Sequence, residues 1–147
     1  ANVLVLCTGN SARSVMGEVL INALGQGRWK AYSAGSHPTG QVNPLTIEIL
    51  REKGHATDGL RSKSWDEFAA TDAPRMDLVI TVCDNAAGEV CPIWPGAPKK
   101  IHLGFPDPAA ATGTHEERLD EFRKVYAMIE ETMQRLTTHG PDKMGDI

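Results

Sequence analysis

The side chains whose placement invites chemistry are Cys7, Arg13 and Ser14, then Asp107, then Cys83 and Cys91. Cys7 ends the aliphatic run Val3-Leu4-Val5-Leu6, and Arg13 and Ser14 follow it across Thr8-Gly9-Asn10-Ser11-Ala12. A loop that leaves a strand and enters a helix points successive backbone N–H groups into one concavity. The helix N-terminus adds the positive end of its dipole, and together they cradle an anion. Gly9 allows a close backbone approach, and Asn10 tolerates the left-handed conformation such a curl needs. Arg13 adds a planar fork that can hold two oxygens of a tetrahedral oxyanion. Thr8, Gly9, Asn10, Ser11, Ala12, Arg13 and Ser14 are therefore the expected oxyanion-binding residues. Cys7 at the base of the cradle feels the same field, which can lower a thiol pKa from about 8.5 to between roughly 3.5 and 7.5. The Ser14 hydroxyl could donate to the thiolate. The loop then binds an anion and holds a nucleophile beneath it. The plainer reading is a buried, inert Cys in a strand-to-helix turn; Gly9, Arg13 and Ser14 in the same turn argue against it.

Asp107 lies in Phe105-Pro106-Asp107-Pro108-Ala109, just past a predicted strand and at the same sheet edge as Cys7. A nucleophile that displaces an oxygen needs a partner to protonate the leaving oxygen. An Asp before Pro is by itself more often a turn residue, and the nearby Cys7 loop reverses that preference. Cys83 closes another predicted strand at that edge, and Cys91 follows it across Asp-Asn-Ala-Ala-Gly-Glu-Val. Buried or loop cysteines without a role are the alternative for both. A zinc site from Cys83, Cys91 and His102 lacks the tight Cys-x-x-Cys pair that would support it, so no metal and no cofactor are expected.

The elements that must position these residues read as alternating strands and helices. Residues 2–6, 29–35, 76–83 and 100–105 read as strands. Residues 14–24 form a helix with Met16, Leu20, Ala23 and Leu24 on one face. A second helix opens at Asn43-Pro44, a cap followed by Pro at the first helical position, and runs to Lys53. Capping-box patterns start a short helix at Ser64-Trp65-Asp66-Glu67 and a long one at Thr114-His115-Glu116-Glu117. The long helix carries Leu119, Phe122, Tyr126, Ile129, Met133 and Leu136 at helical spacing. Residues 84–100, with Pro92, Pro95 and Pro98, read as a long loop. The pattern implies an α/β domain: a parallel sheet with helices on both faces and ligands at the carboxyl ends of the strands. One catalytic domain is expected over residues 1–138, with 139–147 a flexible tail.

The chain of 147 residues is 41% hydrophobic and 23% charged, an ordinary globular composition with room for a core. Its net charge of −4, with scattered basic residues, argues against nucleic acid as a partner. No apolar run could span a membrane, and the opening run is too short for a signal peptide and lacks a basic flank. Three cysteines, an odd number, fit a reducing cytoplasmic compartment better than a disulfide scaffold. A monomer is expected.

The segment Val5-Leu6-Cys7-Thr8-Gly9-Asn10-Ser11-Ala12-Arg13-Ser14 resembles the phosphate-binding loop of low-molecular-weight protein tyrosine phosphatases and of the arsenate reductases built on the same fold. The likeness extends through residues 32–35, 42–44, 80–83, 91–96 and 104–109. It implies a four-stranded parallel sheet flanked by helices, with Asp107 as general acid. Phosphatases of this fold usually place aromatic residues after the Asp-Pro pair to frame an aryl substrate. Here Ala109, Ala110 and Ala111 follow, which suits a small inorganic oxyanion. Two further thiols also exceed what a phosphatase needs. Reduction of arsenic(V) takes two electrons, which thiols supply by forming a disulfide. The resemblance to three-cysteine arsenate reductases implies that Cys7 attacks arsenate and Cys83 then attacks Cys7. Cys91 next takes over Cys83, and thioredoxin reduces the final disulfide. The alternative the resemblance leaves is a phosphatase with incidental thiols.

Overall fold

Aliphatic runs pair into one parallel sheet, and the order of the strands fixes where a site can form. β1 (Asn2–Cys7) lies between β2 (Lys30–Gly35) and β3 (Leu78–Thr81), and β4 (Lys99–His102) flanks β3. All three pairings are parallel, giving the order β2-β1-β3-β4. Helix α1 (Arg13–Leu24) joins β1 to β2, α2 (Pro44–Glu52) follows β2, and α3 (His115–His139) follows β4. The chain steps outward from β1 to β2 and then returns across β1 to β3. The strand order thus reverses between β1 and β3, and open parallel sheets bind ligands at the carboxyl edge of such a switch point.

The computed structural model describes residues 2–25, 27–70, 72–82 and 99–139. The expectations for Cys83, Cys91, residues 84–98 of the loop read over 84–100 and residues 140–147 of the tail read over 139–147 lie outside the described residues; Lys99 and Lys100 belong to β4 and His139 ends α3.

The pleat divides the core. Val3, Val5 and Cys7 of β1, with Leu78 and Ile80 of β3, face a large cluster built with Met16, Leu20 and Ile21 of α1, Ile49 and Leu50 of α2, and Phe122, Ile129 and Met133 of α3. Leu4 and Leu6 point the other way, toward Ala34, Trp65, Phe68, Met76 and Val79. This is the period-2 alternation of a strand buried on both faces. Among the described residues, the second face is covered by a single 3₁₀ turn, Trp65–Phe68, rather than by a full helix.

Local chemistry sets the element ends. Asn43 Oδ1 accepts from the Leu45 N–H at 2.9 Å, with Pro44 as the first helical residue of α2. Before α3 the capping box is complete: the Glu117 N–H donates to Thr114 Oγ1 at 3.1 Å, and the Thr114 N–H donates to Glu117 Oε1 at 3.2 Å. At Ser64 only half of the expected box forms. Ser64 Oγ accepts from the Asp66 N–H, while the Glu67 carboxylate turns to Arg61 at 2.7 and 2.9 Å. A guanidinium offers two parallel charge-assisted bonds and wins over one backbone amide.

Candidate functional site

Strand register brings the site to one edge. Cys7 pairs with Gly35 at the ends of β1 and β2, and Leu6 pairs with Thr81 near the end of β3. The chain beyond β4 is laced along the same edge. The Leu103 N–H donates to Thr81 O at 2.8 Å and the Phe105 N–H to Val82 O at 3.1 Å. These bonds carry Phe105 and Asp107 across to the start of α1.

The loop after β1 is held from outside by its carbonyls. Thr8 O accepts from the His37 N–H at 2.9 Å, Gly9 O from Ser62 Oγ at 2.9 Å and from the Thr39 N–H at 3.1 Å, and Ser11 O from the Asn43 N–H at 3.0 Å and Thr46 Oγ1 at 2.8 Å. A trans peptide holds each C=O antiparallel to the next N–H, and no cis bond occurs among the described residues. With those carbonyls turned outward, the N–H groups of Gly9 and Ala12, residues that line the concavity, point the opposite way. Asn10 has φ of 47°, the left-handed turn that lets the loop curl, and it is fully buried. Its Nδ2 donates to Ser14 Oγ at 2.8 Å, and its Oδ1 accepts from the Lys63 N–H at 3.0 Å.

Gly35 shows how tightly the strand end passes the loop. A Cβ at this position would sit 2.4 Å from Thr8 O and 3.0 Å from Asn10 N. Only glycine leaves that space.

Cys7, Thr8, Gly9, Ser11, Ala12, Arg13, Thr39, Asp107 and Ala109 line a cavity of about 260 Å³. Cys7 is buried at 5% exposure at its base. Arg13 Nη1 donates to Phe105 O at 3.1 Å, and Nη2 lies 3.7 Å from Asp107 Oδ2. Among the described residues Arg13 Nε is buried without a hydrogen-bond partner. Asp107 Oδ1 accepts from the Ala109 N–H at 3.0 Å and caps the 3₁₀ turn Pro108–Ala110. One carboxylate oxygen is thus tied to the turn while the other faces Arg13.

The structure therefore brings Cys7, Arg13 and Asp107 together. Asn10 and Ser14 do not line the cavity; their side chains bond to each other, both fully buried. Cys83 and Cys91 lie outside the described residues. Sequence reasoning missed Thr39, which lies between the strand read over 29–35 and the helix opening at Asn43, and the Phe105 carbonyl, whose use by Arg13 depends on strand register. The described residues hold no cluster of His, Cys, Asp or Glu fit for a metal ion. None of the described helices is long and apolar enough to cross a membrane.

Residues 2–143 match the family model described as low molecular weight phosphotyrosine protein phosphatase. The chain belongs to that family. Within this phosphatase family it is similar to an arsenate reductase of Halalkalibacterium halodurans, 40% identical over 123 residues, covering 84% of this chain and 85% of that one. The crystal structure of the arsenate reductase from Archaeoglobus fulgidus matches with a TM-score of 0.72 at 31% identity, covering 92% of this chain and 98% of the other. The thioredoxin-dependent arsenate reductase of Corynebacterium glutamicum matches with a TM-score of 0.59 at 26% identity, covering 91% of this chain and 62% of the other. The phosphatase fold is thus common ground with relatives named for a reductase.

Proposed function

We propose that this chain reduces arsenate to arsenite. The observation that carries the reading is a buried thiol beneath inward-facing amides, in a cavity also lined by a guanidinium whose Nε has no partner among the described residues. Relatives named arsenate reductase, matched over most of both chains, support it.

Arsenate enters with its oxygens on the loop N–H groups and on Arg13. Donors already aimed at the anion need no reorganisation when charge builds up. The Cys7 thiolate attacks arsenic while Asp107 protonates the departing oxygen, so a sulfur–arsenic bond forms and water leaves. Cys83 attacks Cys7 sulfur; the electron pair of the sulfur–arsenic bond passes to arsenic, arsenite departs, and a Cys7–Cys83 disulfide remains. Cys91 attacks Cys83, frees Cys7 and leaves a Cys83–Cys91 disulfide. An external dithiol reduces that bond, and thioredoxin is the proposed donor; the Corynebacterium protein's dependence on it supports this.

A second reading, hydrolysis of a phosphate monoester, is favoured by the family's name. Ala109 in the cavity lining speaks against it as the main activity, since it offers an aryl group no aromatic frame. The test is arsenate-dependent NADPH consumption with thioredoxin and its reductase, beside a glutaredoxin system and an aryl phosphate assay. The reading requires consumption with arsenate. Rapid aryl phosphate turnover with none of it would favour the phosphatase.

A further inference from the structure

A second group of charged side chains lies beside the loop, and the reaction above does not use it. The Lys63 side chain is only 10% exposed and that of Glu18 17%. Lys63 Nζ stands 3.8 Å from Glu18 Oε1 and donates to Arg61 O at 3.3 Å. Ser33 Oγ donates to the same Glu18 oxygen at 2.8 Å. The backbone of Lys63 is part of the loop support as well. Its N–H bonds to Asn10 Oδ1 at 3.0 Å, and its carbonyl accepts from the Gly35 N–H at 2.9 Å. One residue therefore touches α1 through Glu18, the end of β2 through Gly35, and the loop through Asn10.

A nearly buried ion pair adds little net stability over well-packed apolar residues of similar shape. Its presence here calls for another use. Glu18 belongs to the helix whose first residue is Arg13. Without the ammonium, the Glu18 carboxylate would keep one hydroxyl donor in a mostly dry place. It would have to take up a proton or swing toward water. Either change loads α1 and loosens the segment that fixes the Asn10 amide.

We propose that Lys63 is a positioning residue for the oxyanion loop: paired with Glu18, it holds α1 and Asn10 where the loop amides and Arg13 converge on the guest. The proposal rests on the oxyanion reading of the site. The charged groups that face Lys63 are Glu18 from α1, Arg61 two residues before it, and Glu67 from the 3₁₀ turn. Burial pushes the ammonium pKa down while Glu18 pulls it up, so the pair is mutually dependent.

The test follows alkylation of Cys7 by iodoacetamide, read on its peptide by mass spectrometry, against rising arsenate or phosphate. Thermal melts are run in parallel on wild type, Lys63→Met, Lys63→Arg, Glu18→Gln and the double variant Lys63→Met/Glu18→Gln. Arsenate and phosphate should protect the wild type. Lys63→Met should raise the half-protecting concentration about tenfold, a usual coupling within one polar network. Lys63→Arg should stay near wild type. The double variant, which leaves no uncompensated charge, should recover most of the loss. Should Lys63→Met fail to fold, Glu18→Gln asks the same question from the other partner and should also weaken protection. A Lys63→Met protein that melts lower but is protected as well as wild type would overturn the proposal. So would a double variant no better than the single one. Failure to protect even the wild type would overturn the oxyanion reading itself, and this inference with it.

Discussion

The two walls of the cavity are built differently. On the loop wall the Thr8, Gly9 and Ser11 carbonyls all have partners, and Asn10 and Ser14 are fully buried. On the opposite wall Asp107 is 45% exposed, tied by one bond to its own turn and facing Arg13 at 3.7 Å. The difference follows from what each wall does in the proposed reaction. Donors that stabilise developing charge work best when fixed beforehand. A proton donor must be recharged from water after each turnover, and a half-exposed carboxyl at the rim is suited to that.

Substitutions on the loop wall should therefore cost more than those on the acid wall. Cys7→Ser removes the nucleophile; arsenate reduction should fall on the order of 10⁴-fold or more, as single losses of a nucleophile do. Arg13→Lys keeps the charge but loses the fork and the orphan Nε, and kcat/KM should drop by roughly 10³. Gly35→Ala drives a methyl toward Thr8 O and Asn10 N. The shifted loop should lose about 10²-fold in rate and lower the melting temperature as well. Asp107→Asn should cut the rate by about 10²-fold, at the weak end of general acid effects because water reaches the rim, with stability changed by less than about 0.5 kcal/mol. Steady-state kinetics beside thermal melts checks all four. An Asp107→Asn protein more damaged than Arg13→Lys would reverse the assignment of the two walls.

The smallest effect lies far from either wall, where α2 meets α3. Tyr126 OH is hydrogen-bonded with His55 Nε2 at 2.7 Å. Burial, with Glu130 adding to it, pushes the Tyr126 phenol up to about 12. An unfolded tyrosine ionises near ~10, so between these values the folded chain binds more protons than the unfolded one. The contribution is intact below that window and is lost as pH rises through it. Denaturant titrations at alkaline pH should show the drop, and Tyr126→Phe should flatten it while leaving arsenate turnover at neutral pH unchanged.

How much of this the sequence disclosed depends on how far apart the partners lie along the chain. The Cys7–Ser14 segment was readable because its residues are consecutive: strand, curl and helix start follow from local patterns. The caps at Asn43 and Thr114 were readable for the same reason. The Arg13–Phe105 bond joins residues 92 positions apart and depends on the pairing of β3 with β4. No local pattern announces it. Lys63 reads as an ordinary loop lysine, and its burial arises only because Gly35 bridges to Ser64 and carries the neighbouring segment against α1. Ser14 reads as a possible donor to the thiolate; what the sequence does not show is that its hydroxyl accepts from Asn10 at 2.8 Å, which leaves its hydrogen for such a donation. The parallel sheet packed with helices followed from strand–helix alternation, whereas the part played by the 3₁₀ turn Trp65–Phe68 in covering Leu4 and Leu6 among the described residues did not.

The central claim is that the loop keeps Cys7 ionised and seats a tetrahedral anion against it. Ultraviolet thiolate absorbance against pH, in a variant whose other thiols are Cys83→Ser and Cys91→Ser, measures this directly, with and without phosphate. The account predicts a Cys7 thiolate already formed at neutral pH and a titration curve displaced by phosphate. A thiol that ionises like free cysteine and ignores phosphate would contradict it.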